Sequence, residues 1–111
     1  MANIQIFGTK KCNQTRKAER FFKERGAKFQ FVDLKKKGLS PGELQSVQRH
    51  IPLAQLMNKE SKEYLRLNLK YMVHDPQQIL LDHPLLLHTP IIRFGKEATI
   101  GFQPDIWKNW V

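Results

Sequence analysis

Cys12 is the only cysteine in the chain, and its thiolate would be the strongest nucleophile this sequence can offer to sulfur. It follows the apolar run Ile4, Gln5, Ile6, Phe7 and a short polar turn that contains Gly8, and it precedes a helical pattern. That order sets the thiol at or near a helix N-terminus, where the aligned peptide dipoles favour the ionised form. Lys10, Lys11, Arg16 and Lys17 bring positive charge to the same few residues, which acts in the same direction. The competing reading is a small buried hydrophobe, the ordinary state of a free cysteine. With one cysteine no intramolecular disulfide can form, so any redox chemistry needs an outside thiol.

Other reactive side chains carry less. His50, His74, His83 and His88 lack metal-ligand spacing, and a lone cysteine makes a poor zinc set, so no metal is expected. Asp33 and the Asp82-His83 pair could suggest acid-base partners, but no motif brings either to Cys12, and they are read as structural. Trp107 and Trp110 stand three apart and read as core and rim rather than as a base-stacking platform.

The elements that must position Cys12 alternate in type. Ile4, Ile6 and Phe7 give a strand, Ala18, Phe21 and Phe22 give a helix from about Thr15 to Arg25 capped at Gly26, and 29 to 34 gives a second strand. The resulting βαβ unit has parallel strands and a right-handed crossover. Ser40-Pro41-Gly42-Glu43 carries a serine N-cap, a proline at the first helical position and a glutamate at the third, and starts a helix running to about His50. Further helical stretches follow at Leu53 to Met57, Lys62 to about Leu67, and from Asp75-Pro76 to about Asp82 with Ile79 and Leu80 inward. Strand signals return at Ile91 to Phe94 and Ala98 to Phe102, joined by Gly95-Lys96 as a hairpin. Gln103-Pro104-Asp105 then caps a last helix whose Ile106, Trp107 and Trp110 are expected to face the core. The expectation is one α/β domain over residues 1–111: a thioredoxin-like fold with a four-stranded mixed sheet, βαβ then ββα, and a helical insertion at about 41–83 between the halves.

Composition narrows the function. A chain of 111 residues with 41% hydrophobic content suits one compact core. Ala2 to Phe7 is too short for the apolar region of a signal peptide, and no apolar run approaches the ~20 residues of a membrane span. A soluble cytoplasmic protein with no membrane partner is expected. The net charge of +9 favours anionic partners in general. The basic residues are dispersed, Lys35-Lys36-Lys37 reads as a solvated loop, and no nucleic-acid signature occurs, which argues against direct nucleic-acid binding.

Several motifs occur together in a characteristic order: Cys12 and Arg16 as Cys-x-x-x-Arg, Phe31-Val32-Asp33-Leu34-Lys35, Leu39-Ser40-Pro41, Leu56-Met57-Asn58-Lys59, Thr89-Pro90-Ile91-Ile92 and Ile100-Gly101-Phe102. In this order the chain resembles the ArsC/Spx family of thioredoxin-fold proteins, which includes glutaredoxin-type arsenate reductases, their small relatives and Spx-like transcriptional regulators. The resemblance implies a cis Pro90 facing the thiol. It also implies that Cys12 is the nucleophile, that Arg16 and the helix N-terminus lower its pKa, that Thr15 can hydrogen-bond it, and that the Thr89 backbone pairs with substrate. In the arsenate reductases three further arginines hold the thiolate and the oxyanion. Here Asn58, Thr89 and Phe102 or its neighbour stand in those places, and Gly8 replaces a histidine. Each preorganised donor in such a site is worth on the order of 3 kcal/mol. The loss of three points away from efficient arsenate reduction. The regulators sense oxidation through Cys-x-x-Cys and contact an RNA polymerase α subunit; Thr15 stands at the second cysteine, so an internal switch cannot operate.

Two functions therefore stand as expectations. The first is an arsenate reductase-like thiol oxidoreductase, in which Cys12 attacks a disulfide, a glutathione mixed disulfide or an oxyanion. It holds no bound cofactor; glutathione, another low-molecular-weight thiol or a protein thiol resolves it. The second is an Spx-like regulator that binds the RNA polymerase α subunit without an internal disulfide switch.

Overall fold

A computed structural model describes residues 4–69 and 75–110. His74, named above among the scattered histidines, lies outside the described residues. β1 (Ile4–Gly8), α1 (Asn13–Glu24) and β2 (Phe29–Asp33) form the first half, and β3 (Ile91–Phe94), β4 (Glu97–Ile100) and α6 (Pro104–Trp107) the second. Between them run α2 (Pro41–Gln48), α3 (Leu53–Leu56), α4 (Lys62–Arg66), α5 (Pro76–Asp82) and a 3-10 turn at Pro84–Leu86. The strands make one four-stranded sheet in the order β2-β1-β3-β4. β1 and β2 are parallel, while β1 with β3 and β3 with β4 are antiparallel. This is the mixed sheet of a thioredoxin-like fold.

Strand alternation divides the core between two faces of the sheet. Ile4, Ile6 and Ile92 pack with Ala18, Phe22 and Trp107 beneath α1 and α6. Phe7, Val32 and Ile91 pack with Leu44, Val47, Leu56, Leu80 and Leu86 beneath the helical segment. A hydrophobic layer on each side explains why β1 is buried along nearly its whole length.

The ends of the elements follow from local chemistry. α1 begins at Asn13, two residues before the expected Thr15, because Cys12 itself is the N-cap in extended conformation. It ends in a Schellman arrangement: Gly26, at φ +69°, donates to Lys23 O at 3.0 Å, and Ala27 N–H donates to Phe22 O at 2.9 Å. At α2, Ser40 Oγ accepts from Glu43 N–H at 3.1 Å and Glu43 Oε1 accepts from Ser40 N–H at 2.8 Å, the reciprocal capping box. Asp75 caps α5 through the backbone N–H groups of Gln77 and Gln78.

Two expectations about the C-terminal region are corrected. β4 stops at Ile100 because Gly101 turns the chain at φ +77°, so Phe102 leaves the sheet and stands exposed against the Trp107 ring. Ile106 is exposed rather than core-facing: α6 is a single turn, and Trp107 alone of that turn is fully buried. Trp110 is half-buried and stacks on Phe94 at 5.1 Å between ring centroids. No described helix is long and apolar enough to cross a membrane.

The indole N–H of fully buried Trp107 donates to Thr99 Oγ1 at 2.8 Å, tying α6 to β4. Thr99→Val keeps the shape and strands that donor. Urea unfolding should show a loss of about 1–3 kcal/mol, the cost of a buried donor left without its acceptor.

Candidate active site

The approach of α1 to the end of β1 depends on a missing side chain. A Cβ on Gly8 would lie 2.4 Å from Thr15 Oγ1 and 2.7 Å from Thr15 Cγ2. With hydrogen at that position Thr15 sits fully buried against β1, and the first turn of α1 holds Cys12 at the sheet's edge. The Cys12 N–H donates to Thr9 O at 3.1 Å, and Cys12 O accepts the Arg16 N–H at 3.1 Å, so the backbone on both sides of the thiol is fixed.

The loop before β3 reaches the sulfur from the other half of the chain. The Thr89–Pro90 peptide is cis. Thr89 Oγ1 donates to Cys12 Sγ at 3.0 Å, and the thiol points back to Thr89 O at 3.9 Å. Cys12 is partly exposed. Burial pushes its pKa up and is the largest single influence. Hydrogen bonds from the Thr15 and Thr89 side chains and from the backbone of Thr15 and Gln14 together outweigh it, so the thiol titrates below its ordinary value.

Arg16 is placed differently from its expected role. Its guanidinium lies on the exposed face of α1 and bonds Asn13 Oδ1, and it is not among the groups that lower the thiol pKa. Lys10, Lys11 and Lys17 are likewise exposed around the site.

Thr89 also lines a cavity of about 240 Å³ together with Gln14, Gln55, His88, Ile100 and Gly101. Gln14 comes from the first turn of α1. Gln55 comes from α3, brought across by an isolated bridge between Met57 and Leu87 and by the His88 N–H donating to Leu56 O at 2.8 Å. Sequence reasoning missed Gln14, Gln55 and His88 as site residues. Adjacency to Cys12 and Thr89 could have suggested two of them; nothing in the sequence pairs Gln55 with Thr89.

The places of the family's arginines hold no cation here. Asn58 Oδ1 caps its own turn by accepting the Glu60 N–H at 3.0 Å, and Phe102 lies on Trp107. Arg93, opposite Gln5 in the sheet and so away from the Gly8 end of β1, is bonded to Gln5 Oε1 at 2.6 Å and to Ser46 Oγ at 3.4 Å.

Alkylation of Cys12 by iodoacetamide across pH should have its midpoint below that of free cysteine. Thr89→Val, which removes a donor to the sulfur, should move the midpoint up by several tenths of a pH unit or more, since one unit is about 1.4 kcal/mol and a hydrogen bond to a charged group is worth ~1.5–3 kcal/mol. Arg16→Ala should move it less. Gly8→Ala should raise it too, because the new methyl displaces Thr15.

Comparison with known proteins places this geometry in a family. The sequence matches the ArsC family over residues 7–110. The global transcriptional regulator Spx 2 of Oceanobacillus iheyensis is 31% identical over 108 residues, spanning 92% of this chain and 78% of that protein. Among solved structures, the YFFB protein superposes with a TM-score of 0.83 at 20% identity over 96% of this chain and 97% of its own. An arsenate reductase from Vibrio cholerae superposes with a TM-score of 0.81 at 20% identity over 99% of this chain and 98% of its own. A thiol at the first helix, a cis-proline loop against it and a family match along nearly the whole length agree, and the chain belongs to the ArsC family.

Proposed function

We propose that this protein is a thiol oxidoreductase of the arsenate reductase-like kind, working on disulfides or glutathione mixed disulfides in the reducing cytoplasm. The observation that carries the reading is the sulfur of Cys12, partly exposed beside a cavity and held by donors that lower its pKa. In the first step the thiolate attacks one sulfur of the substrate disulfide; a Cys12–S bond forms, the substrate S–S bond breaks, and the other sulfur departs as a thiolate that takes a proton from water. In the second, an external thiolate attacks the mixed disulfide, and Cys12 leaves as the thiolate. The first sulfur to depart is the reduced product, the incoming thiol leaves joined in a disulfide to the substrate sulfur that Cys12 held, and the protein ends as it began. No bound cofactor is required; glutathione or a protein thiol serves as co-substrate. Thr15 and Thr89 stabilise the leaving Cys12 thiolate. Thr89, set by Pro90, offers its backbone to the substrate, while Arg16 contributes charge at the entrance that attracts anionic thiols.

Oxyanion reduction fits the site less well, because fixed positive donors aimed at the developing charge are the usual requirement and none lines the cavity. A second reading is favoured by the 31% identical relative, which is named a global transcriptional regulator. Under it the chain would bind a protein such as the RNA polymerase α subunit with no internal disulfide, since Thr15 stands where a second cysteine would be.

Incubated with a glutathionylated peptide and glutathione, the protein should show turnover that Cys12→Ser abolishes, with a Cys12–glutathione adduct visible by mass spectrometry. Arsenate turnover with glutathione should be negligible. If Cys12→Ser leaves the exchange rate unchanged, the oxidoreductase reading fails and the binding reading leads.

A further inference from the structure

The cavity that shares Thr89 with the thiol site mixes apolar surface with polar side chains that include no Lys, Arg, Asp or Glu. Its polar side chains are the carboxamides of Gln14 and Gln55 and the imidazole of His88, set beside Thr89, Ile100 and Gly101. Among the described residues none of these three side chains is held by a hydrogen bond to the protein, although each could make several. No Lys or Arg lines the space, and Arg93 is engaged at the other end of the sheet.

We propose that this cavity is a recognition site for the uncharged peptide amide next to a substrate's reactive sulfur, and that it selects peptidyl disulfides over oxyanions. The inference rests on the thiol-exchange reading for its place in the reaction. Carboxamides present a donor and an acceptor each, and a neutral imidazole does the same. A peptide unit also presents one of each and can satisfy both kinds of group at once. An oxyanion brings a net negative charge, and no Lys or Arg in the lining stands ready to pair with it, whereas a neutral amide needs no such partner. Size agrees. A water's share of liquid volume is about 30 Å³, so about 240 Å³ is the space of several waters and takes a peptide-sized group. The placement agrees as well, because Thr89 contributes to both the cavity and the sulfur's hydrogen bonds, so a group seated in the one is delivered beside the other.

Two measurements test this. The first compares kcat/KM for an N-acetylated, C-amidated peptide disulfide with kcat/KM for bis(2-hydroxyethyl) disulfide, which has no amide. Gln55→Ala, a favourable residue on an exposed short helix, should lower that ratio roughly three- to tenfold, the effect of losing one hydrogen bond between uncharged groups. His88→Asn, which keeps a donor and an acceptor, should lower it less than His88→Ala. The second uses a capped peptide with serine in place of cysteine, which cannot exchange. Its addition should shift the NMR signals of the Gln14 and Gln55 carboxamides and the His88 ring, and arsenate at matched ionic strength should not. An unchanged ratio together with no shift by the serine peptide overturns the inference while leaving thiol exchange standing. Peptide shifts with no exchange at Cys12 would instead support the cavity assignment and remove the oxidoreductase reading.

Discussion

The antiparallel pairing of β1 with β3 is the constraint on which the site depends. Phe7 lies opposite Ile91 and Ile6 opposite Ile92, so the chain leaving β1 toward Cys12 and the chain entering β3 from Thr89-Pro90 meet at the same end of the sheet. Residues 77 positions apart thereby come within a hydrogen bond of each other. The pairing is fixed by burial on both faces: Ile6 and Ile92 on the α1 side and Phe7 and Ile91 on the other are all fully buried. A slip of one residue would exchange the two faces and put every one of these side chains against the wrong layer. Register, and with it the distance from Thr89 to the sulfur, is therefore set by hydrophobic packing well removed from the chemistry.

Electrostatics around the site act on two scales. The exposed lysines and Arg16 give the surface near Cys12 a positive field that acts over roughly the ~8–10 Å of a Debye length. The sulfur itself feels the donors set beside it, the Thr89 hydroxyl at 3.0 Å together with the Thr15 hydroxyl and the backbone of Gln14 and Thr15. The contact donors outweigh the surface charge for the thiol pKa, because screened, mobile side chains contribute little beside fixed dipoles in a partly buried setting. Arg16 illustrates the difference: one turn along the helix from Cys12, it spends its guanidinium on Asn13 and leaves the sulfur to the threonines.

Much of this was legible in the sequence because the signals were local. The apolar residues Ile4, Ile6 and Phe7 marked β1, the Gly95-Lys96 turn between apolar runs marked β3 and β4, the serine-proline-glutamate start marked α2, and Gly26 marked the end of α1. Cys12 stood out as the lone cysteine at a strand-to-helix turn, and Thr15, Thr89 and Pro90 were singled out through a motif order that reflects the whole fold. What escaped detection was non-local or decided by a single turn. Gln55 enters the cavity only because Met57 bridges to Leu87, a contact with no period and no motif. Ile106 and Trp107 are adjacent and equally apolar in pattern; the Thr99 hydroxyl, which only Trp107 can use as an acceptor, distinguishes them. The early end of β4 follows from the positive φ of Gly101, which composition alone could equally have assigned to a strand interior.

Gly8 and Thr15 show how two departures hold together, Gly8 from the arsenate reductase pattern and Thr15 from the regulators' Cys-x-x-Cys. The space that a side chain at position 8 would need is occupied by the Thr15 hydroxyl and methyl, so a larger residue at 8 and threonine at 15 exclude each other. Position 15 is also where a second cysteine would stand in a Cys-x-x-Cys pair. Filled by a buried hydroxyl, it gives the thiolate a hydrogen-bond donor but no sulfur with which to close a disulfide. Threonine there stabilises the reactive form of Cys12 and at the same time removes the internal route for resolving it. Under the thiol-exchange reading, release of a mixed disulfide then depends on a thiol that comes from outside, past the cavity and the basic surface that flank the sulfur.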